Sequence, residues 1–259
     1  MSDSKVAAFF DVDETLVRGA TVFWAARQMF RRQLFGLSDL LYAARQTFRY
    51  SFFGENEERV DSFGERAAQV MEGSALSEMQ SIAEDLYKTY FVPRVYQATF
   101  DRLEAHKEAG HQVWLISATP WVIAEVIAKH LGAVAGIGTR VVVEDGHLSG
   151  SLDGKMMHGD AKAEAVAQLA IENDLDLDAS WAYSDAASDI PMLSLVGNPV
   201  AVNPDRKLAD YAYEHRWEVL NAREPGDQVK RLAIRTALWA GAGAAVWALS
   251  AHLQKRRRR

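Results

Sequence analysis

The sequence predicts an α/β protein: a parallel sheet with helices on both faces, interrupted after its first strand by a block of helices and followed by an apolar helix with a basic end. Three observations predict this. Short apolar runs alternate with helical spacing at residues 6–10 and again from Pro93 onward, which is the pattern of strands crossed over by helices. Residues 21–92 hold no strand-like run flanked by turns. Residues 236–253 carry no formal charge, taking His252 as neutral, and basic residues stand on both sides of them.

The elements follow in order. Val6-Ala7-Ala8-Phe9-Phe10 is short and uniformly apolar, as a strand buried on both faces should be. Phe23, Ala26 and Phe30, then Leu34, Leu37, Leu41, Ala44 and Phe48, then Val60, Phe63, Ala67 and Val70, then Leu76, Met79, Ile82 and Leu86 recur at helical intervals. They predict about four helices, broken near Gly36, Gly54 and Gly73. After Pro93 the spacing predicts a helix over 96–109 closed by Gly110, a strand over 112–116, and a helix over 120–131 ending at Gly132. Short strands are expected at 137–143 and around Leu148, on either side of the Asp145-Gly146 turn. Asp160 is expected to cap a helix over 161–171. A strand at 181–183, a short helix over 190–196 and a strand at 200–202 complete the alternation. The domain boundaries that result are 1–20 and 93–229 for the core, 21–92 for an inserted helical cap, and 230–259 for the apolar helix with its basic terminus.

Composition narrows the function. There is no cysteine among 259 residues, so disulfides and thiolate metal sites are excluded. The net charge of −6 conceals a split. Residues 1–229 hold 21 basic and 35 acidic side chains, net −14, whereas residues 230–259 hold eight basic ones and no acid. So acidic a body does not suit a general nucleic-acid binder, and the tail is expected to have its own anionic partner.

The chemistry sits at the ends of the predicted strands, where open parallel sheets bind ligands. Asp11 and Asp13 follow the first strand in Asp11-Val12-Asp13-Glu14-Thr15. Two carboxylates so close repel each other unless a cation or proton intervenes. Ser117 follows Val113-Trp114-Leu115-Ile116, Lys162 stands in the first turn after Gly159-Asp160, and Ser184-Asp185 with Asp189 follows Trp181-Ala182-Tyr183. Each residue type has a task in phosphoryl transfer. A carboxylate can attack phosphorus, a second can protonate the leaving oxygen and then activate water, and a hydroxyl and an ammonium can hold the phosphoryl oxygens. Acids gathered at such a site suit Mg²⁺, a hard cation that takes oxygen ligands.

These four clusters, in this order, resemble the motifs of the haloacid dehalogenase superfamily, in the subfamily (IB) of phosphoserine phosphatase and its relatives. The resemblance spans roughly residues 6 to 220. It implies a Rossmann-like core with a mobile cap at 21–92 that closes over the substrate. It implies Asp11 as nucleophile, Asp13 as general acid and base, and Ser117 and Lys162 as phosphate-binding residues. Mg²⁺ would be held by Asp11, Asp13 through its backbone carbonyl, Asp185 and Asp189. The chain departs from phosphoserine phosphatase at two places. Ala20 stands where that enzyme has the glutamate that recognises the amino-acid group, and Ala118-Thr119 replaces a glycine pair.

The substrate expected is therefore a phosphomonoester, with a lipid phosphate such as lysophosphatidate favoured. Arg18, Arg27, Arg31, Arg32, Arg45 and Arg49 are interleaved with Trp24, Phe35, Tyr42 and Tyr50, a composition suited to an anionic membrane surface. The tail can lie in such a surface, span it or stay in water. No signal peptide is expected, and a cytoplasmic protein at the cytoplasmic face of the membrane results. The alternatives are a phosphatase of a small soluble metabolite, phosphoserine-like or a sugar phosphate, and a non-catalytic membrane adaptor. Two acids in the first motif argue against the adaptor.

Overall fold

A computed structural model describes residues 5–32 and 57–223. Residues Met1–Asn221 form one compact unit, and a second unit begins at Ala222. The helix expected within 230–259 and the part of the cap at 33–56 lie outside the described residues.

Six strands form one parallel sheet: β1 (Ala7–Phe10), β2 (Gln112–Pro120), β3 (Ala135–Thr139), β6 (Trp181–Ser184), β7 (Asn198–Val202) and β8 (Glu218–Leu220), in the order β3-β2-β1-β6-β7-β8. β4 (Val141–Glu144) and β5 (His147–Leu152) form a separate antiparallel hairpin. The chain winds outward from β1 in both directions, so the β1/β6 boundary is the topological switch point at which such sheets leave a crevice. β1 is buried on both faces. Phe9 joins the cluster of Trp114, Ile116, Val166 and Leu208, while Phe10 stacks on Tyr183 with ring centroids 4.3 Å apart.

Several boundaries differ from the sequence reading for physical reasons. β2 continues through Pro120, which pairs with Thr139 after a break in register, because a residue before proline is pushed to extended backbone. The helix expected over 190–196 is shorter, Ile190–Leu193, and a 3₁₀ turn, Ala187–Asp189, leads into it. The chain turns soon afterwards at Gly197, where a Cβ would stand 1.8 Å from the Asp178 carbonyl oxygen. Asp160 is the first residue of its helix, Asp160–Asn173, and does not cap it. Gly159 holds the cap position at φ 55°, and no side chain bonds there. The helix Arg206–His215 and β8 were not anticipated. The helix is capped by Asp205, whose carboxylate accepts the Leu208 N–H at 2.8 Å, and β8 is three residues held by pairing with β7.

Between β1 and the helix Gln97–Glu108 that leads into β2 lie three described helices, Thr21–Arg31, Glu57–Val70 and Leu76–Leu86, the last running into a π turn, Tyr87–Phe91, and a 3₁₀ turn, Val92–Arg94. Met79, Ile82, Ala83 and Leu86 give Leu76–Leu86 one buried face at helical spacing. That helix packs along Trp121–Leu131, where the His130 ring stacks on Tyr87 at 4.0 Å and its Nε2 meets Glu84 at 2.8 Å. Backbone bonds join the end of Glu57–Val70 to the hairpin: Gly73 N–H donates to Leu148 C=O at 2.8 Å and Leu76 N–H to Gly146 C=O at 2.9 Å.

His106, 7% exposed, lies among Phe10, His111, Trp181 and Tyr183. Its Nε2 meets the Tyr183 hydroxyl at 2.8 Å and its Nδ1 meets His111 Nδ1 at 2.9 Å. Burial, with His111 and Arg102 adding to it, pulls its pKa down to about 4. The unfolded chain therefore takes up this proton first as pH falls, and stability present above the ordinary histidine pKa is lost between about pH 6.5 and 4. Between pH 7 and 5 the wild type is expected to lose about 2 kcal/mol more than His106→Gln, read from urea midpoints. Parallel pH profiles for the two proteins would contradict it.

Candidate active site

The strand register brings the predicted residues to one edge. Phe10 pairs with Leu115 of β2 and with Tyr183 of β6, so the next steps set Asp11 level with Ser184 and Val12 level with Ser117 and Asp185. A tight loop follows. Leu16 and Val17 N–H groups donate to Val12 C=O at 2.9 and 3.0 Å, and Glu14 adopts φ 56°. The Glu14 carboxylate accepts Gly19 N–H at 3.1 Å and the Tyr96 hydroxyl at 3.0 Å. Two passages of chain connect the helical block to the sheet here, and they pair: Arg18 N–H donates to Arg94 C=O at 3.0 Å, and Tyr96 N–H to Leu16 C=O at 2.9 Å.

The centre of the site is an ion triplet. Lys162 Nζ lies 2.6 Å from Asp11 Oδ1 and 2.6 Å from Asp189 Oδ2, with the three residues 4%, 6% and 1% exposed. Lys162 shares a helix face with Val166 and Ala170, the i, i+4, i+8 spacing that turns one stripe inward, and this carries its ammonium beneath the sheet edge. Burial alone would discharge it, but Asp11 and Asp189 outweigh that effect and raise its pKa. Burial raises the Asp11 pKa, Asp189 adds to this, and Lys162 opposes it. Asp189 also accepts the Ser184 hydroxyl at 2.6 Å. It holds the cap position of the helix that follows, but its side chain makes no capping hydrogen bond there.

Asp13 is held differently. Its Oδ1 accepts Thr21 N–H at 2.8 Å and the Thr21 hydroxyl as well. Loss of water raises its pKa to about 7, with Asp11 adding and the Thr21 donors opposing. A carboxyl group near neutrality can give a proton and take one back. Ser117 is buried, and its Oγ accepts Thr119 N–H at 3.2 Å. It is not the cap of the next helix, whose cap position is Pro120.

Asp185 receives the Thr15 hydroxyl at 3.4 Å. Burial, then Asp11, Asp189 and Glu14, push its pKa well up. Among the described residues no three acidic or histidine side chains form a ready-made metal cage, and Lys162 bonds one oxygen each of Asp11 and Asp189. The site nevertheless fits a hard cation with few protein ligands: crowded oxygen donors, an Asp185 carboxyl that burial and neighbouring acids disfavour as an anion, and a buried Asp189 Oδ1 with no hydrogen-bond partner among the described residues. Upstream of Lys162, Lys155 pairs with Glu164 at 3.0 Å on the surface and Met157 packs on the core.

A family model described as haloacid dehalogenase-like hydrolase matches residues 8–194. The chain belongs to the haloacid dehalogenase-like hydrolase family. It is a phosphatase-type member of it. A Mycobacterium tuberculosis protein named phosphoserine phosphatase SerB1 is 38% identical over 256 residues, covering 98% of this chain and 83% of that protein. An inhibition of morphological differentiation protein from Streptomyces azureus is 30% identical over 222 residues, covering 85% and 80%. Among solved structures, a Bordetella pertussis protein of unknown function superposes with TM-score 0.74 at 24% identity, over 85% of this chain and all (100%) of that one. A substrate-bound phosphoserine phosphatase superposes with TM-score 0.63 at 18% identity, over 89% and 99%. The last two establish a shared fold.

Sequence reasoning missed Thr21 and Asn203. Asn203, at φ 47°, follows β7 and its amide donates to Glu14 C=O at 3.3 Å, steadying the loop after Asp13. It ends a strand at the same edge as the other clusters, and that rule could have found it. No spacing signal marks Thr21.

Proposed function

We propose that the protein is a Mg²⁺-dependent phosphomonoesterase of small metabolites that works through an aspartyl-phosphate. The observation that carries this is the buried Asp11–Lys162–Asp189 triplet beside an independently held Asp13. A carboxylate oxygen of Asp11 attacks phosphorus, the bond to the leaving oxygen breaks, and Asp13 gives that oxygen its proton. Asp13 then takes a proton from water, whose oxygen attacks the phosphorus. Inorganic phosphate leaves and the Asp11 carboxylate is restored. Lys162 and Ser117 hold the phosphoryl oxygens as charge moves. Asp11, the Asp13 carbonyl, Asp185 and Asp189 would hold Mg²⁺, which offsets carboxylate repulsion and lowers the charge facing the nucleophile.

For the ester itself, the Mycobacterium relative's name suggests phosphoserine, whereas Ala20 offers no carboxylate to an ammonium group. The lipid-phosphate reading rests on the basic, aromatic composition of residues 18–54 and on the tail, most of which lies outside the described residues. Within them, Arg27 and Arg94 lie over the Trp24 ring at 5.2 and 4.6 Å, and no helix is long and apolar enough to cross a membrane. The test is phosphate release from amino-acid, sugar, nucleotide and lysolipid phosphates, with Mg²⁺ and with EDTA. Turnover of a small ester that EDTA abolishes and Mg²⁺ restores is expected. Undiminished turnover in EDTA would remove the metal from the proposal, and release from lysolipids alone would replace the substrate class.

A further inference from the structure

The grip of Thr21 on Asp13 carries a role that the motifs do not. Thr21 is the first residue of Thr21–Arg31, the helix that opens the inserted block, and it is 1% exposed. Both of its donors, the backbone N–H at 2.8 Å and the hydroxyl, go to the same oxygen, Asp13 Oδ1. A carboxyl oxygen that accepts two hydrogen bonds is a poor place for a proton, because the acidic hydrogen would point at a donor. The proton of a neutral Asp13 is thereby directed to Oδ2, and rotation of the carboxyl group is stopped.

We propose that Thr21 is the positioning residue for the proton-transfer group: it reserves Asp13 Oδ2 for exchange with the leaving oxygen and then with water. This rests on the reading of Asp13 as acid and base given above. The order of events is unchanged. Oδ2 loses its proton to the departing oxygen as the ester P–O bond breaks, and regains one from the water that cleaves the aspartyl-phosphate. Thr21 is buried, and it acts only through Asp13. Its effect is on orientation, and general acid–base assistance is lost when the group is free to turn away. A second consequence follows from position. Asp13 is anchored to the first helix of the inserted block as well as to the sheet, so a shift of that helix would carry the acid with it.

p-Nitrophenyl phosphate separates this role from a structural one. Its leaving group departs without protonation, so formation of the aspartyl-phosphate does not need Asp13, whereas hydrolysis of that intermediate does. With Mg²⁺ present, Thr21→Val is expected to release about one p-nitrophenol per active site in a rapid burst at the wild-type rate. Its steady state should then be about 10- to 100-fold below wild type, a fraction of what general base catalysis supplies. Thr21→Ser keeps both donors and should stay within about threefold of wild type. Thermal melts of both variants check the fold. A Thr21→Val steady state equal to wild type overturns the proposal, and so does a burst lost together with it, or no rescue by serine. A burst retained by Asp11→Asn overturns the nucleophile assignment, whatever the Thr21 variants do.

Discussion

Asp11→Asn is expected to lower phosphate release by about 10⁴-fold or more, near 5 kcal/mol of transition-state stabilisation. The amide has almost the shape of the carboxylate, so packing at this buried position survives. What disappears is the nucleophile. An amide oxygen carries no charge to place on phosphorus, and the ion pair with Lys162 at 2.6 Å is lost with it. The measurement is single-turnover and steady-state release of p-nitrophenol and of inorganic phosphate, with a thermal melt as control for folding. A variant that still turns over at more than a few per cent of the wild-type rate would leave the aspartyl-phosphate without support.

Lys162→Met should be the most damaging change to stability and activity together. The ammonium is the only cation bonded to Asp11 and Asp189 among the described residues, and both acids are buried. Removing one partner of such a group leaves uncompensated charge in a poorly solvated place, at a cost of about 3–5 kcal/mol. The sign of the pH dependence distinguishes this from a packing defect. Burial already raises the Asp11 pKa against the pull of Lys162, so without the lysine Asp11 holds its proton more tightly still in the folded state than in the unfolded one. Folding then binds more protons, and the variant regains stability relative to wild type as pH falls toward the ordinary carboxylate range. A cavity or a misfit side chain would cost the same at every pH. Turnover should fall by about 10²–10³-fold, the usual result of losing a donor to the transferring group. Lys162→Arg is not expected to rescue it, since a larger planar fork cannot take the place of a point charge that stands 2.6 Å from each of two buried carboxylates. A variant as stable as wild type at pH 8 would show that the buried acids do not depend on this lysine.

The legible part of this protein was the part encoded by neighbours in sequence. Ala7–Phe10 could be recognised as a strand because a central parallel strand must be apolar on both faces. Asp11, Ser117 and Asp185 could be selected because each stands directly after such a run, and chain direction alone places them at the carboxyl edge. The elements that escaped lack that local signature. β8 is three residues with two of them exposed, and only the hydrogen bonds of β7 make it a strand. Gly159 displaced Asp160 as the helix cap because its positive φ supplies the turn without a side-chain bond.

Spacing along the chain thus determined the architecture, the four clusters and the chemistry they share, because strand and helix periods are set by backbone geometry. Tertiary structure alone decided the partnerships. Lys162 reaches Asp11 across 151 positions, and Asn203 reaches Glu14 across 189. Asp13 receives Thr21 from the first turn of a helix that could have pointed elsewhere. Such contacts depend on how elements pack, and packing is fixed by the mutual burial of side chains far apart in sequence, which no local pattern records.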